Sequence, residues 1–332
     1  MEYDVIIKGT GRYAPERVIT NEDWSKIVET DDEWITTRTG IKERHWVAPG
    51  ETSSSMAEKA AMKILASAGA SAEDVELIII PTVTPERVFP ATASILQGRI
   101  GASRAACFDI NAACSGFVYA LNVASNFLYS GQFKNALVIG SEVMSILCNH
   151  TDRNTCVLFG DAAAGVFLEA VPRSEPRRGI QSFDIGSDGT VVQILYQYAG
   201  GSGAPPTTHS TLDEQHYIYM EGQEVFKRAV RAMSQAAVNA LERGGGKPEE
   251  VKWFLGHQAN LRIIDAVQKR LGVAPETVYR NIERYGNTTA ASIPLCLDEL
   301  NEQGKLQKGD KLVLFAFGAG LTWAASYLIW DK

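Results

Sequence analysis

The sequence predicts an α/β protein built from a duplicated unit, and three observations carry that prediction. Helical segments alternate with buried strands: the amphipathic run 53–69, with Met56, Ala60, Ile64, Leu65 and Ala68 at helical spacing, leads into VELIIIPTVT, whose unbroken apolar centre suits a buried parallel strand. A second such pair follows, in which 107–131 leads into NALVIGSEV. The chain also repeats itself: Leu65, Gly69, Glu73 and Val75 recur as Leu241, Gly245, Glu249 and Val251, each 176 positions later, and NALVIG resembles DKLVLF at nearly the same offset. With 332 residues, 45% of them hydrophobic, the chain can bury a large core, and the expected halves are 1–172 and 173–332.

Composition narrows the function. A net charge of −7 and a pI near 5.4 argue against a generic nucleic-acid surface, so an anionic partner has to be met by a local basic patch. Five cysteines, an odd number with no Cys-x-x-Cys pair, form neither a disulfide framework nor a zinc site, which suits a reducing cytoplasm. The N-terminus enters a strand directly, and no apolar run approaches the roughly 20 residues needed to span a bilayer.

In chain order, 3–9 reads as a strand and 13–18 as a turn around Pro15. The segment TDDEWITTRTGIKERH mixes Trp34 with Arg38, Lys42 and Arg44, a pattern able to stack a nucleotide base and pair its phosphates; solvated charges at a helix end explain it equally well. In 107–131, a short apolar strand turns into a helix that carries Phe117, Val118, Leu121, Ala124, Phe127 and Leu128 and stops at Gly131. Cys114 stands at that junction. A helix N-terminus lowers a thiol pKa from about 8.5 toward neutrality, which makes a nucleophile; a buried structural cysteine among small neighbours is the competing reading, and position alone does not choose between them.

Arg153 lies near a glycine- and alanine-rich turn in TDRNTCVLFGDAAAG, and 199–216 is loop-like, a candidate insertion or lid. His209 and His216, in or beside it, have no carboxylate or cysteine at ligand spacing and read as ordinary surface histidines. In the second copy, His257 (GHQAN) and Asn287 (YGNTTAAS) take strand-end positions where α/β sheets place their sites; the repeat sets His257 level with Pro81 and Asn287 close to Cys114. The turn FGAG at 317–320 ends the last long strand and offers backbone N–H groups to an oxyanion, or is simply a turn.

Taken together, NAACSGFVYAL, GHQANLR, GNTTAASIP and FGAGLTW, with TDDEWITTRTGIKERH near the start, resemble the β-ketoacyl-[acyl carrier protein] synthase III family of bacterial fatty-acid synthesis, in the same order and over nearly the whole chain. The resemblance implies a thiolase fold, five layers in α-β-α-β-α order, and a cytoplasmic homodimer that binds neither nucleic acid nor membrane. It implies condensation of an acyl-CoA with malonyl-acyl carrier protein and loss of CO2, without metal or cofactor. Cys114 matches the nucleophile, and His257 and Asn287 match the pair acting in decarboxylation. The N–H groups of Cys114 and Ala319 match the oxyanion donors, with Ala319 standing where the family's middle glycine is usual. Trp34 and Arg153 match residues sandwiching the adenine of coenzyme A, and Thr30, Arg38, Asn260 and Arg262 match others along its channel. Phe317 matches a residue beside the nucleophile, and Phe89 one that a partner subunit inserts toward the acyl pocket. Gln258, Ala259, Asn260, Leu261, Arg262, Lys227, Lys269 and Arg270 match carrier-protein positions, and Arg228 and Arg231 extend the basic patch.

Other readings leave residue-level traces. A degradative thiolase would place a second cysteine in the C-terminal glycine turn, whereas Cys296 reads as helix core. A hydroxymethylglutaryl-CoA synthase would need a catalytic glutamate that no motif places. A related acyltransferase of secondary metabolism would use the same triad. A Cys/His/Asn hydrolase shares the residue types and their order but not the local protease signature.

Overall fold

The computed structural model describes residues 2–205 and 214–332; His209 and the middle of the expected 199–216 loop lie outside the described residues. The first half opens with β1 (Tyr3–Tyr13), which runs beyond the expected 3–9 because Thr10 to Tyr13 keep their antiparallel pairing, down to Tyr13 opposite Ala163. A hairpin of β2 (Arg17–Thr20) and β3 (Glu43–Trp46) encloses α1 (Asn21–Ser25) and α2 (Asp32–Thr39). Next comes α3 (Ser53–Ala68), the helix that the 53–69 run predicts; it is begun by a Thr52–Ser55 capping box and ended by left-handed Gly69. There follow β4 (Leu77–Pro81), α4 (Thr92–Ile100), β5 (Ala106–Ile110), α5 (Gly116–Tyr129), β6 (Asn135–Glu142) and β7 (Ala162–Pro172).

The run Ala162–Gly165, expected in a turn, is instead the start of β7. Its small residues let β7 lie between β1 and β6 and pair with both, Gly165 facing Gly11 on one side and Ile139 on the other.

The second half repeats the pattern with β8 (Gly179–Ser187), a short pair β9 (Leu195–Tyr196) and β10 (Tyr219–Met220), α6 (Gly222–Arg243), β11 (Val251–Gly256), α7 (Leu261–Leu271), α8 (Ile282–Tyr285), α9 (Ser292–Glu302), β12 (Lys311–Gly318) and β13 (Thr322–Ile329). The glycine turn therefore ends the penultimate strand, and a further eight-residue strand returns antiparallel to it. The sheets have orders β1-β7-β6-β4-β5 and β8-β13-β12-β11. Parallel and antiparallel pairings match strand for strand, and a parallel bridge from Phe254 to Val278 stands in the place of β5.

Three apolar clusters define five layers. One joins α3 and α4 to the outer face of the first sheet through Ile64, Leu96, Ile78 and Ile139. A second places α5 and α9 between the sheets, with Phe117, Leu121, Leu297 and Leu300 against Val5, Ile79, Leu255 and Leu314. The third covers the second sheet with α6 and α7 through Met233, Leu241, Ile264 and Val267. The middle helices meet apolar surface on both sides, so they are nearly all-round hydrophobic.

A cluster of polar contacts ties this middle layer to the first sheet, with Asn301 and Glu302 of α9 also bonded to Thr10 and Arg12 of β1. Asp298 of α9, 3% exposed, accepts from the Thr10 hydroxyl at 2.6 Å and from the Arg12 guanidinium at 2.5 Å. Replacing Asp298 by Ala removes one of the two carboxylates that hold the Arg12 guanidinium, the other being Glu302 at 2.7 Å, and the acceptor of the buried Thr10 hydroxyl, a loss of about 2 kcal/mol. Urea unfolding of the Asp298→Ala protein should show a clearly lowered midpoint, and an unchanged midpoint would remove this contact from the account.

Candidate active site

Cys114 lies in a single 3-10 turn, Ala113–Ser115, and α5 begins two residues later at Gly116. The turn is an Asx-type structure. The Asn111 side-chain oxygen accepts the Ala113 N–H at 3.3 Å, and Ala113 takes a left-handed φ of 46° that few non-glycine residues adopt. The second sheet holds the turn in place: the Thr322 hydroxyl donates to Ala112 O at 2.9 Å and the Ser115 hydroxyl to Thr322 O at 3.2 Å. Gly318, at the end of β12, packs so closely that a Cβ there would stand 2.6 Å from the Cys114 nitrogen.

His257 follows β11 and continues its parallel ladder, its N–H donating to Phe315 O at 2.8 Å. Asn287 is fixed through its backbone, which bonds Leu158 O at 2.8 Å and Gly160 N at 3.1 Å. Its side-chain oxygen accepts the Thr289 N–H at 2.9 Å, which orients the amide so that the Nδ2 group is the donor left for a ligand. Cys114, His257 and Asn287 all line one cavity of about 980 Å³, with Phe317, Ala319 and Gly320 on the same wall and Asn111 and Thr289 beside them.

Burial governs the charges. His257 is 2% exposed, and desolvation alone pushes its imidazole down to about 3, so it is neutral at pH 7. The Cys114 thiol moves opposite to the sequence expectation. Burial first and the Glu142 carboxylate second push it up to about 12, against a smaller pull from its own backbone N–H. The resting form is a thiol, because one helix N-terminus does not offset desolvation at the floor of the cavity and the field of a carboxylate. Glu142 is itself pushed up to about 7 by burial, opposed by hydrogen bonds from Thr84, Val83, Thr82 and Ala290. Sequence reading missed this carboxylate, although GSEV put it in plain view at a strand end.

Most of the residues matched to coenzyme A binding gather around α2 and the segment that leads into it. Trp34 carries the Arg38 guanidinium at 4.5 Å and the Arg153 guanidinium at 5.1 Å from its ring centre. Trp34, Arg38 and Asn260 line the cavity. Arg153 is held by Glu29 O at 2.9 Å, and Arg262 reaches from α7 to Thr37 O at 3.0 Å. The Thr30 hydroxyl is buried without a hydrogen-bond partner among the described residues.

Phe89 is 83% exposed, outside the cavity of its own chain, and Val88 beside it is 90% exposed. Gln258 must leave the carrier-protein set: it is 1% exposed, and its amide is spent on Gly256 O at 2.8 Å and Asn281 N at 3.2 Å. Ala259 and Leu261 are half-buried, while Arg262, Lys269, Arg270, Lys227 and Arg231 are exposed on the adjacent helices α7 and α6; Arg228 is half-buried there. His216 is half-buried in the 3-10 turn Glu214–His216, and no group of His, Cys, Asp or Glu among the described residues is arranged to hold a metal. No described helix is long and apolar enough to cross a membrane.

Comparison with known proteins agrees with this geometry. The family description 3-oxoacyl-[acyl-carrier-protein] synthase III matches residues 108–189, and that of its C-terminal part matches 241–330. A curated β-ketoacyl-[acyl-carrier-protein] synthase III from Caldanaerobacter subterraneus subsp. tengcongensis is 49% identical over 98% of both chains. The crystal structure of 3-oxoacyl-[acyl-carrier-protein] synthase III from Aquifex aeolicus is 45% identical, covers 99% of this chain and 100% of its own, and superposes with a TM-score of 0.89. The priming β-ketosynthase of the R1128 polyketide pathway is 33% identical with a TM-score of 0.92, covering 100% of this chain and 97% of its own. With matched motifs on a thiolase fold and such relatives along its whole length, the chain belongs to the 3-oxoacyl-[acyl-carrier-protein] synthase III family.

Proposed function

We propose that this enzyme condenses an acyl-CoA primer with malonyl-acyl carrier protein, releasing CoA and CO2 and giving a 3-oxoacyl-acyl carrier protein, the initiating step of bacterial type II fatty-acid synthesis. The observation that carries the reading is the convergence of Cys114, His257 and Asn287 on one cavity that Trp34 and Arg38 also line. The secondary-metabolic alternative is not favoured, since the curated relatives at 45–49% identity are named β-ketoacyl-[acyl-carrier-protein] synthase III. The chain divides into halves at 172/173 and works as a cytoplasmic homodimer, a reading that the exposed Val88–Phe89 pair supports.

In the first half-reaction, the Cys114 sulfur attacks the thioester carbon and the carbon–sulfur bond to CoA breaks, the thiol proton leaving with the CoA sulfur. The N–H groups of Cys114 and Ala319 meet the oxyanion. Ala319 serves as well as glycine because it is not among the described residues with positive φ. In the second, the malonyl carboxylate departs as CO2 and its electron pair passes into a thioester enolate. Asn287 Nδ2 and the cavity-facing nitrogen of His257 donate to that oxygen, each such donor being worth about 3 kcal/mol. The enolate carbon then attacks the acyl-cysteine, and the expelled thiolate takes up one solvent proton. These are acyl transfer and decarboxylation steps, which call for neither metal nor redox cofactor.

The test pairs two rates, labelled acyl transfer to the protein and CO2 release from malonyl-carrier protein. Cys114→Ala should abolish the first, whereas His257→Ala and Asn287→Ala should cut CO2 release about a hundredfold and acylation far less. A label on Cys107, or equal loss of both rates in the two donor variants, contradicts these roles.

The thiol makes a separate demand on pH. A raised pKa means that the thiolate fraction of the empty enzyme keeps growing with pH beyond the ordinary cysteine range. Glu142→Gln removes the carboxylate that helps raise it, so the rate of Cys114 alkylation by iodoacetamide should shift to lower pH. A profile unchanged by the substitution would show that Glu142 does not act on the thiol.

An acidic carrier protein meets an acidic enzyme through a local patch, and Arg262, Lys269 and Arg270 on α7 with Arg231 and Lys227 on α6 provide one. Reversing Arg262 and Lys269 to Glu should raise the KM for malonyl-carrier protein most at low salt. An unchanged KM would move the docking surface elsewhere.

A further inference from the structure

The neutral imidazole of His257 has two tautomers, and only the one protonated on the cavity-facing nitrogen can donate to an enolate oxygen. Its Nδ1 lies 2.7 Å from the Ser292 hydroxyl, a residue that is 1% exposed at the first position of α9. We propose that Ser292 is a positioning residue of the condensation: its hydroxyl donates to His257 Nδ1, which leaves the proton on Nε2 and makes the histidine a hydrogen-bond donor toward the thioester oxygen. This inference rests on the decarboxylation role given to His257 above.

The surrounding bonds select that direction. The Ser292 hydroxyl has one proton and two possible acceptors, His257 Nδ1 at 2.7 Å and Thr289 O at 3.0 Å. Thr289 O already receives the Ser292 backbone N–H, so it is satisfied without the hydroxyl. The Ser292 oxygen in turn faces the Gln258 N–H at 3.4 Å, which gives it a donor to accept from while its own proton goes to the ring. Were the hydroxyl to turn to Thr289 O, Nδ1 would carry the proton, and Nε2 would meet the enolate with a lone pair.

The duplication isolates what Ser292 adds. The 176-residue offset pairs Ser292 with Gly116 and His257 with Pro81. These positions touch in the first half as well, where a Cβ on Gly116 would stand 2.9 Å from the Pro81 Cβ. The contact there is plain packing. In the second half the same contact is a hydrogen bond to an imidazole, so the fold supplies the proximity and the two residue types supply the chemistry. Thr289 serves Asn287 in the parallel way, through the N–H that orients its amide.

The experiment has two arms. In the wild-type enzyme labelled with 15N-histidine, the His257 ring nitrogens should show Nε2 protonated and Nδ1 bare, and Ser292→Ala should populate both tautomers. The same variant should lose at least tenfold in CO2 release from malonyl-carrier protein, with a smaller loss of Cys114 acylation, and Ser292→Thr should recover part of it. A wild-type signal from the Nδ1-protonated ring overturns the proposal, as does Ser292→Ala with CO2 release at the wild-type rate. If His257→Ala spares CO2 release, the decarboxylation role itself has failed; if only Ser292→Ala spares it, that role stands and the Ser292 assignment has failed.

Discussion

The site depends on how closely two strands can approach the two turns that lead into the middle helices. A Cβ on Gly318 would stand 2.6 Å from the Cys114 nitrogen, and one on Gly140 would stand 2.6 Å from the Ala290 oxygen. Strand β12 of the second half thus presses on the turn of the first, and β6 of the first half on the turn of the second. This crossed packing of backbone on backbone draws the ends of both sheets to one seam, and the cavity opens where they meet. It also accounts for the left-handed Ala113 and Thr289, at φ 46° and 52°. Such conformations cost about 1–3 kcal/mol each and persist only where their surroundings over-determine them.

Enclosure at the seam decides what kind of catalyst can be built there. Desolvation removes charge from His257 and keeps the Cys114 proton in place, so the resting site offers fixed dipoles in place of ions. A reaction that moves negative charge from a carboxylate to an enolate and then to a thiolate is suited to such a site, because each position of the charge can be met by an N–H that needs no reorganisation. The bonds from Thr289 to Asn287 and from Ser292 to His257 then matter as much as the groups themselves, since a neutral donor acts only along the direction in which its proton is held.

Much of this was legible in the chain itself. The 176-residue repeat revealed the duplication because it falls on the ends of α3 and α6 and on the strands that follow, where caps and buried runs constrain residue type. Cys114, His257 and Asn287 were legible as strand-end residues of that repeat. The Ala162–Gly165 run misled because small residues mark a turn and a crowded central strand alike. The thiol state was not legible: a helix N-terminus can be read from periodicity, but the desolvation of Cys114 depends on Gly318 of the other half packing against it and on the fold bringing Glu142 near. Gln258 was misplaced because its neighbours in GHQANLR do reach the surface, while its own side chain turns inward to tie β11 to Asn281.

The same offset sets the two turns against each other residue by residue. Asn111, Ala113 and Cys114 pair with Asn287, Thr289 and Ala290, and both turns have the Asx bond and the left-handed residue. Their difference lies in what the opposing strand brings to each. Gly318 of β12 comes to the first turn with no side chain, so space remains in front of the Cys114 nitrogen for a thioester oxygen. Its counterpart in β6 is Glu142, whose carboxylate is bonded by Thr82, Thr84 and the N–H of Val83 and is further favoured by the N–H of Ala290. The second turn therefore meets an internal carboxyl group in the place that the first leaves without a side chain. The Glu142 carboxyl thereby stands against the second turn, whereas the first keeps the gap that a side chain at position 318 would fill.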